Sequence, residues 1–341
     1  MKHRGRGVAC MFYPIGFTVY PNPSAVFMKV DIDGSAVVYT GATDIGQGST
    51  TVLQQIASEA TGIPCEKITM VTSDTKYTAY DTGSVASRVT LITGNAVKKA
   101  AEGVRDILFS AAAHKLNLYI GDAPSLMMID DDLIYLDGYR EAGISIGEAA
   151  RYSTLTLGKP VIACGTYNPV TTVLNKEDGH GKPYGSHVFA TQIAVVEVDD
   201  ETGAFTLEKI YAVHDCGKAI NPLLLHGQID GGVGMGVGFG CYEEIVTDQG
   251  KVLNDQFTNY ILPTALDVPP IVSAIVERFD PTGPYGAKGI GEPSLLPTAS
   301  AIANAIFNAV GVLITDLPIT PEKIYMALKA KKAEDRAGSA N

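Results

Sequence analysis

The chain has 341 residues, 46% of them hydrophobic, and a formal net charge of −11; that is enough apolar material for two domains or one large one. No basic block offsets the acidity, which argues against nucleic acid as a partner, and no apolar run approaches the roughly 18 residues that a membrane span needs. Five scattered cysteines form no C-x-x-C pair, so reduced thiols are expected rather than a disulfide framework or iron–sulfur ligands. The basic start, Met1-Lys-His-Arg-Gly-Arg, lacks the apolar core of a signal peptide, and a cytoplasmic address is the default.

Residues 7–24 are aromatic-rich and broken by Gly16 and three prolines, which predicts an irregular loop or edge segment with Phe17 buried. Strands are expected over 25–30 and 36–40, joined at Asp33-Gly34. The second runs into Gly41-Ala-Thr-Asp-Ile-Gly-Gln-Gly48 and a helix from Ser49 or Thr50. Strand, glycine loop and helix in that order can aim backbone N–H groups at an anion, or can simply be a tight βα connection. A strand over 67–72 precedes residues 73–90, whose many hydroxyls suit solvation, capping or an oxygen-rich ligand. A helix over 94–116 follows, then an excursion with a strand near 133–136 and a short helix near 146–151.

In the second half, 187–198 and 205–214 alternate as a hairpin. Gly227-Gln228 introduces a helix ending at Gly240 that contains six glycines from Gly231 onward. Each costs about 1 kcal/mol against alanine, which close packing on a cofactor or another helix would offset. A hairpin at Gln249-Gly250, a strand over 273–278, a helix over 321–331 and a disordered tail over 332–341 complete the chain.

The most informative stretch is Tyr285-Gly-Ala-Lys-Gly-Ile-Gly-Glu-Pro293. Three glycines without a Cβ precede one carboxylate, Glu292. Pro293 favours an extended Glu292 and suits the first turn of the helix that follows. An acid so placed tends to lose water and hold its proton more tightly, as a general base near neutral pH requires; the plainer reading is an acid favoured by a helix dipole. Gln47, Gln228 and Glu292 each sit on a glycine loop entering a helix, a pattern that suggests one shared site for an extended, oxygen-rich ligand.

Together these motifs resemble the molybdenum hydroxylase family of xanthine dehydrogenases and aldehyde oxidases. The resemblance runs from about Arg6 to Leu328 and is strongest at 41–48, 81–97, 215–232 and 286–304. It implies a mixed α/β, two-lobed molybdopterin-binding domain, with a first lobe over 1–160 and a second over 161–331 carrying the glutamate loop. It further implies a separate medium subunit, of the kind nicotinate dehydrogenase has.

Carried over residue by residue, Ile45, Gly46 and Gln47 would touch the pterin and the metal's oxygen ligands. Ser84, Ala86, Ser87, Arg88 and Val89 would cradle the dithiolene and phosphate end, and Gln228 would add an amide contact. Phe17 and Thr18 match positions beside a flat ring substrate, with Val85 and Ala86 near it. Glu292 matches the family's base. The dithiolene would hold molybdenum, so no side chain need ligate it. Arg88 and Val89 stand where a smaller pair occurs in the animal enzymes, which leaves the nucleotide form open, the cytosine dinucleotide among the candidates.

The implied reaction is hydroxylation of an N-heteroaromatic substrate with water. It would require a large molybdopterin subunit that supplies the other active-site groups, and iron–sulfur and FAD subunits for the electrons. An aldehyde oxidoreductase, an acyl-CoA thioester reductase or a non-catalytic structural subunit are the alternatives.

Overall fold

The structure is a computed structural model describing residues 1–17, 21–118 and 123–338. Its first strand, β1 (Lys2–Pro14), is longer and more regular than the aromatic-rich sequence suggests. Lys2, Arg4, Arg6, Val8, Cys10 and Phe12 alternate outward while Gly5 and Gly7 turn inward. Two inward glycines hide the strand period from a hydrophobicity reading. The strand is then followed by β2 (Ser24–Val30), β3 (Ala36–Thr40), α1 (Ser49–Thr61) and β4 (Ile68–Thr72). A π-helical turn at Val89–Thr93 leads into α2 (Gly94–Lys115). The excursion holds β5 (Met127–Asp130), β6 (Leu133–Leu136), β7 (Ile144–Ser145) and α3 (Ile146–Leu155), whose start is closed by a Ser145–Glu148 capping box.

The second half contains β8 (Val161–Tyr167), β9 (His187–Asp199), β10 (Phe205–Asp215) and α4 (Pro222–Cys241). A short hairpin, β11 (Thr247–Asp248) and β12 (Lys251–Val252), precedes β13 (Ile271–Val276), α5 (Thr298–Val310) and α6 (Pro321–Gly338). Helix α6 continues through 332–338, where a disordered tail is expected from sequence; residues 339–341 lie outside the described residues.

Two four-stranded sheets organise two cores. The first has the order β4-β3-β2-β8, with β3 and β4 parallel across α1. Helix α2 covers it, and a Cβ on Gly165 would lie 2.1 Å from the Ala96 carbonyl oxygen, so β8 meets α2 backbone to backbone. The second sheet has the order β1-β9-β10-β13. Along β9, Val188, Ala190, Ala194, Val196 and Val198 are buried at period two and face α5.

The chain therefore does not divide at residue 160. Strand β1 pairs with β9 in the second sheet, and β8 pairs with β2 in the first. Sheet pairing is non-local, so a cut placed on sequence order misassigns both strands. The π-helical turn joins the cores: Val89 packs in the first, Leu91 and Ile92 in the second. Among the described residues no helix is long and apolar enough to cross a membrane.

Candidate functional site

The site begins with a buried guanidinium. Arg88 is 0% exposed. Its Nε donates to Asn22 Oδ1 at 2.6 Å, Nη1 to Asp81 Oδ1 and the Gly83 carbonyl, and Nη2 to the Pro23 carbonyl and Ser24 Oγ. All five of its N–H donors are spent inside the protein. Arg88, expected with its neighbours to cradle the dithiolene and phosphate end, borders the cavity, while its side chain serves as a strut. It ties the 81–88 loop to the start of β2 and holds Ala86 (φ 51) and Ser87 (φ 50) in the left-handed region. L-residues adopt that region at a cost of about 1–2 kcal/mol, and the surrounding network makes it persist.

So held, Ser87 meets the glutamate loop. Its hydroxyl donates to the Glu292 carboxylate and accepts from the Glu292 backbone N–H at 3.1 Å. The loop comes this close because it lacks side chains: a Cβ on Gly289 would lie 2.0 Å from the Ser87 carbonyl oxygen. Glu292 is half-buried rather than fully desolvated, because its loop borders an open cavity. Lys288 is turned away, paired with Asp215 at 2.5 Å and bonded to the His187 carbonyl at 2.9 Å. A Pro293-led turn at Glu292–Ser294 separates the acid from α5.

Several amides of the loop ahead of α1 are engaged within the protein rather than held out toward an anion. Asp44 accepts N–H groups from Gly46 at 2.9 Å, Gly48 at 3.3 Å and Thr50 at 3.0 Å. Burial opposes ionisation of Asp44, yet these hydrogen bonds hold it below the usual carboxylate range. The Gln47 amide also turns inward, accepting from Ile45 N–H and donating to the Thr43 carbonyl and Ser49 Oγ. The loop is a self-contained platform, built on its own acid.

These loops and α4 enclose a cavity of about 520 Å³ at the junction of the two cores. Ile45, Gly46 and Gln47 line one wall; Ser84, Val85 and Ser87, with the backbone at Arg88 and Val89, line another. Gln228 and Glu292 border the remainder, so all three glycine-loop residues meet. Ala86 and Phe17 are not among the lining residues; Ala86 accepts Gly16 N–H through its carbonyl, and Phe17 is half-buried beyond β1. Thr18 lies outside the described residues. Sequence reasoning missed Lys218 and Asn221 as lining residues. The signal was the 215–222 segment, where Asn221 caps α4 by accepting from Leu224 N–H at 3.0 Å.

A flat, hydrogen-bonding group fits this space. A Cβ on Gly46 or Gly231 would meet nothing within 4 Å, so both glycines present open backbone. Among the described residues no three His, Cys, Asp or Glu side chains cluster as a metal site.

The family model described as "Molybdopterin cofactor-binding domain" matches residues 1–269. The chain belongs to this family. This molybdopterin-binding chain is 33% identical over 331 residues to the putative xanthine dehydrogenase molybdenum-binding subunit XdhA of Escherichia coli K12, covering 94% of the chain and 42% of that protein. It is 32% identical to the nicotine 6-hydroxylase large subunit of Paenarthrobacter nicotinovorans, covering 89% of the chain and 36% of the relative. Among solved structures, quinoline 2-oxidoreductase from Pseudomonas putida 86 matches with a TM-score of 0.85 at 28% identity, over 96% of this chain and 42% of that one. The molybdopterin-binding chain thus spans about two fifths of the length of these relatives.

Proposed function

We propose that this chain supplies one half of a molybdenum hydroxylase site, with Glu292 as the general base for hydroxylation of an N-heteroaromatic substrate by water. The observation that carries the reading is Glu292 at the cavity wall, held by Ser87 on a loop that only glycine permits. Gly46, Gly231 and the Gln228 amide would hold the pterin, with Ser84 and Val85 beside it. Bound there, molybdopterin would supply a metal centre able to exchange two electrons and to activate water. Ser87 holds Glu292 Oε2, which leaves the carboxylate free to take a proton at Oε1.

The N-heteroaromatic substrate class draws support from relatives named for nicotine and quinoline. The partner reading, a large molybdopterin subunit that completes the site with iron–sulfur and FAD subunits for the electrons, draws support from relatives whose names call them a molybdenum-binding subunit, a large subunit and a subunit of a dehydrogenase complex. The test is the complex purified natively through this chain, analysed for molybdenum and iron and assayed with and without Glu292→Gln. Both metals are expected, with a loss of about 10²–10⁴-fold in the variant at unchanged molybdenum content. Full activity in the variant removes Glu292 as the base, and an intact complex without molybdenum leaves a structural subunit as the better reading.

A further inference from the structure

The inward row of β9 is apolar except at one position. Val188, Ala190, Ala194, Val196 and Val198 are buried there, and among them Gln192 is 0% exposed. A primary amide in that setting costs stability unless its polar atoms are paired. They are paired, and with one stretch of chain. Gln192 Nε2 donates to the Ser294 carbonyl at 2.7 Å, and Gln192 Oε1 accepts from the Thr298 hydroxyl at 2.7 Å. A carbonyl can only accept, so the amide cannot be turned over, and the Thr298 hydroxyl is the donor in its own bond. His214 Nε2 lies 3.5 Å from the same amide nitrogen.

Ser294 closes the turn Glu292–Ser294, and Thr298 is the first residue of α5. Gln192 therefore holds both ends of the short segment that follows the acid. A further bond extends this hold to the residue before the acid: Ser294 Oγ donates to the Gly291 carbonyl at 2.7 Å. Helix α4 packs on the same two hydroxyl residues. A Cβ on Gly232 would lie 1.8 Å from Ser294 Oγ, and one on Gly236, a turn later, 2.5 Å from Thr298 Oγ1. The segment is thus fixed by β9 and α4, while Ser87 engages the Glu292 side chain and N–H from the 81–88 loop. Glu292 and Ser294 border the cavity, and the fully buried Gln192 is outside its lining.

We propose that Gln192 is a positioning residue for the base: its buried amide fixes the turn on which Glu292 stands, and with it the place of the carboxylate against Ser87 and the cavity. The proposal rests on the reading of Glu292 as base. Apolar packing is non-directional, whereas two hydrogen bonds of opposite sense locate the Ser294 carbonyl and the Thr298 hydroxyl separately. Gln192 touches no reacting atom and acts only through the turn.

The test uses the assembled complex. Gln192→Leu removes both bonds, Thr298→Val removes one, and Thr298→Ser keeps it; the Thr298 pair carries the test if Gln192→Leu does not assemble. Hydrogen exchange over residues 289–300 reads the turn, and kinetics at matched molybdenum content read the base. Gln192→Leu and Thr298→Val are each expected to speed exchange there and to lower kcat, both about tenfold, the scale of one buried hydrogen bond. KM should stay within twofold, and Thr298→Ser should keep both readouts near wild type. In a Glu292→Gln background Gln192→Leu should lower kcat no further, because it acts through the acid. Unchanged exchange in the variants overturns the proposal. So does a kcat within twofold of wild type, or a loss that adds to that of Glu292→Gln, where Glu292→Gln is itself impaired. Full activity in Glu292→Gln overturns the base reading instead, and faster exchange in Gln192→Leu then still establishes the hold on the turn.

Discussion

The Ser87 hydroxyl donates to the Glu292 carboxylate across 205 residues of sequence. Each partner is immobilised independently. Ser87 sits at positive φ beside the Arg88 strut, and Glu292 ends a glycine loop pinned by the Lys288–Asp215 pair. The contact joins the two cores at the cavity.

Ser87→Ala removes the hydroxyl donor to the carboxylate and the acceptor of the Glu292 N–H. A hydrogen bond to a charged group contributes about 1.5–3 kcal/mol, so kcat in the assembled complex should fall by roughly ten- to a hundredfold. Steady-state kinetics at matched molybdenum content provide the check. A kcat equal to wild type would show that the contact does not orient the base.

Arg88→Met leaves Asp81 buried and unpaired, with side-chain exposures of 0% and 1% for the original pair. Breaking such a pair from one side costs about 3–5 kcal/mol. Denaturant unfolding of the chain should show a loss of that order, and the double replacement Arg88→Met with Asp81→Leu should recover part of it. If Arg88 instead served a bound phosphate, Arg88→Met would spare stability and reduce only cofactor content.

The glycines of α4 should separate into two classes. A Cβ on Gly232 would lie 1.8 Å from Ser294 Oγ, so Gly232→Ala should destabilise by about 1–3 kcal/mol through overpacking. Gly231 has open space around it, and Gly231→Ala should raise the stability of the cofactor-free chain by up to about 1 kcal/mol. Thermal unfolding distinguishes them. Molybdenum content of the Gly231→Ala complex should fall, since the methyl group enters the proposed pterin surface.

His214 supplies a pH dependence. It is 0% exposed, its Nδ1 has no partner, and burial pushes its imidazolium down from 6.5 to about 4. Between those values the unfolded chain binds the proton and the folded chain does not, so stability falls as pH drops below 6.5. The loss at pH 5 relative to pH 7.5 should be about 2 kcal/mol. Urea midpoints at the two pH values measure it, and His214→Gln should flatten the slope.

Local motifs reveal much of this architecture. Period-two runs mark β9 and β10, Asp33-Gly34 marks the turn between β2 and β3, and the glycine loops announce Gln47, Gln228 and Glu292. Strand β1 and the division between cores were not legible, because inward glycines carry no hydrophobic signal and because β1 and β8 pair far from their sequence neighbours.

Sequence alone determined the family and the mixed α/β class and singled out an acid that borders the cavity, since these rest on residue types at fixed local spacing. Only tertiary structure decided what those residues do to one another. The five donors of Arg88 are spent within the protein, and Asp44 accepts the N–H groups of its own loop. Hydrogen-bond partners of buried groups are chosen by proximity in the fold, and no spacing along the chain encodes that choice.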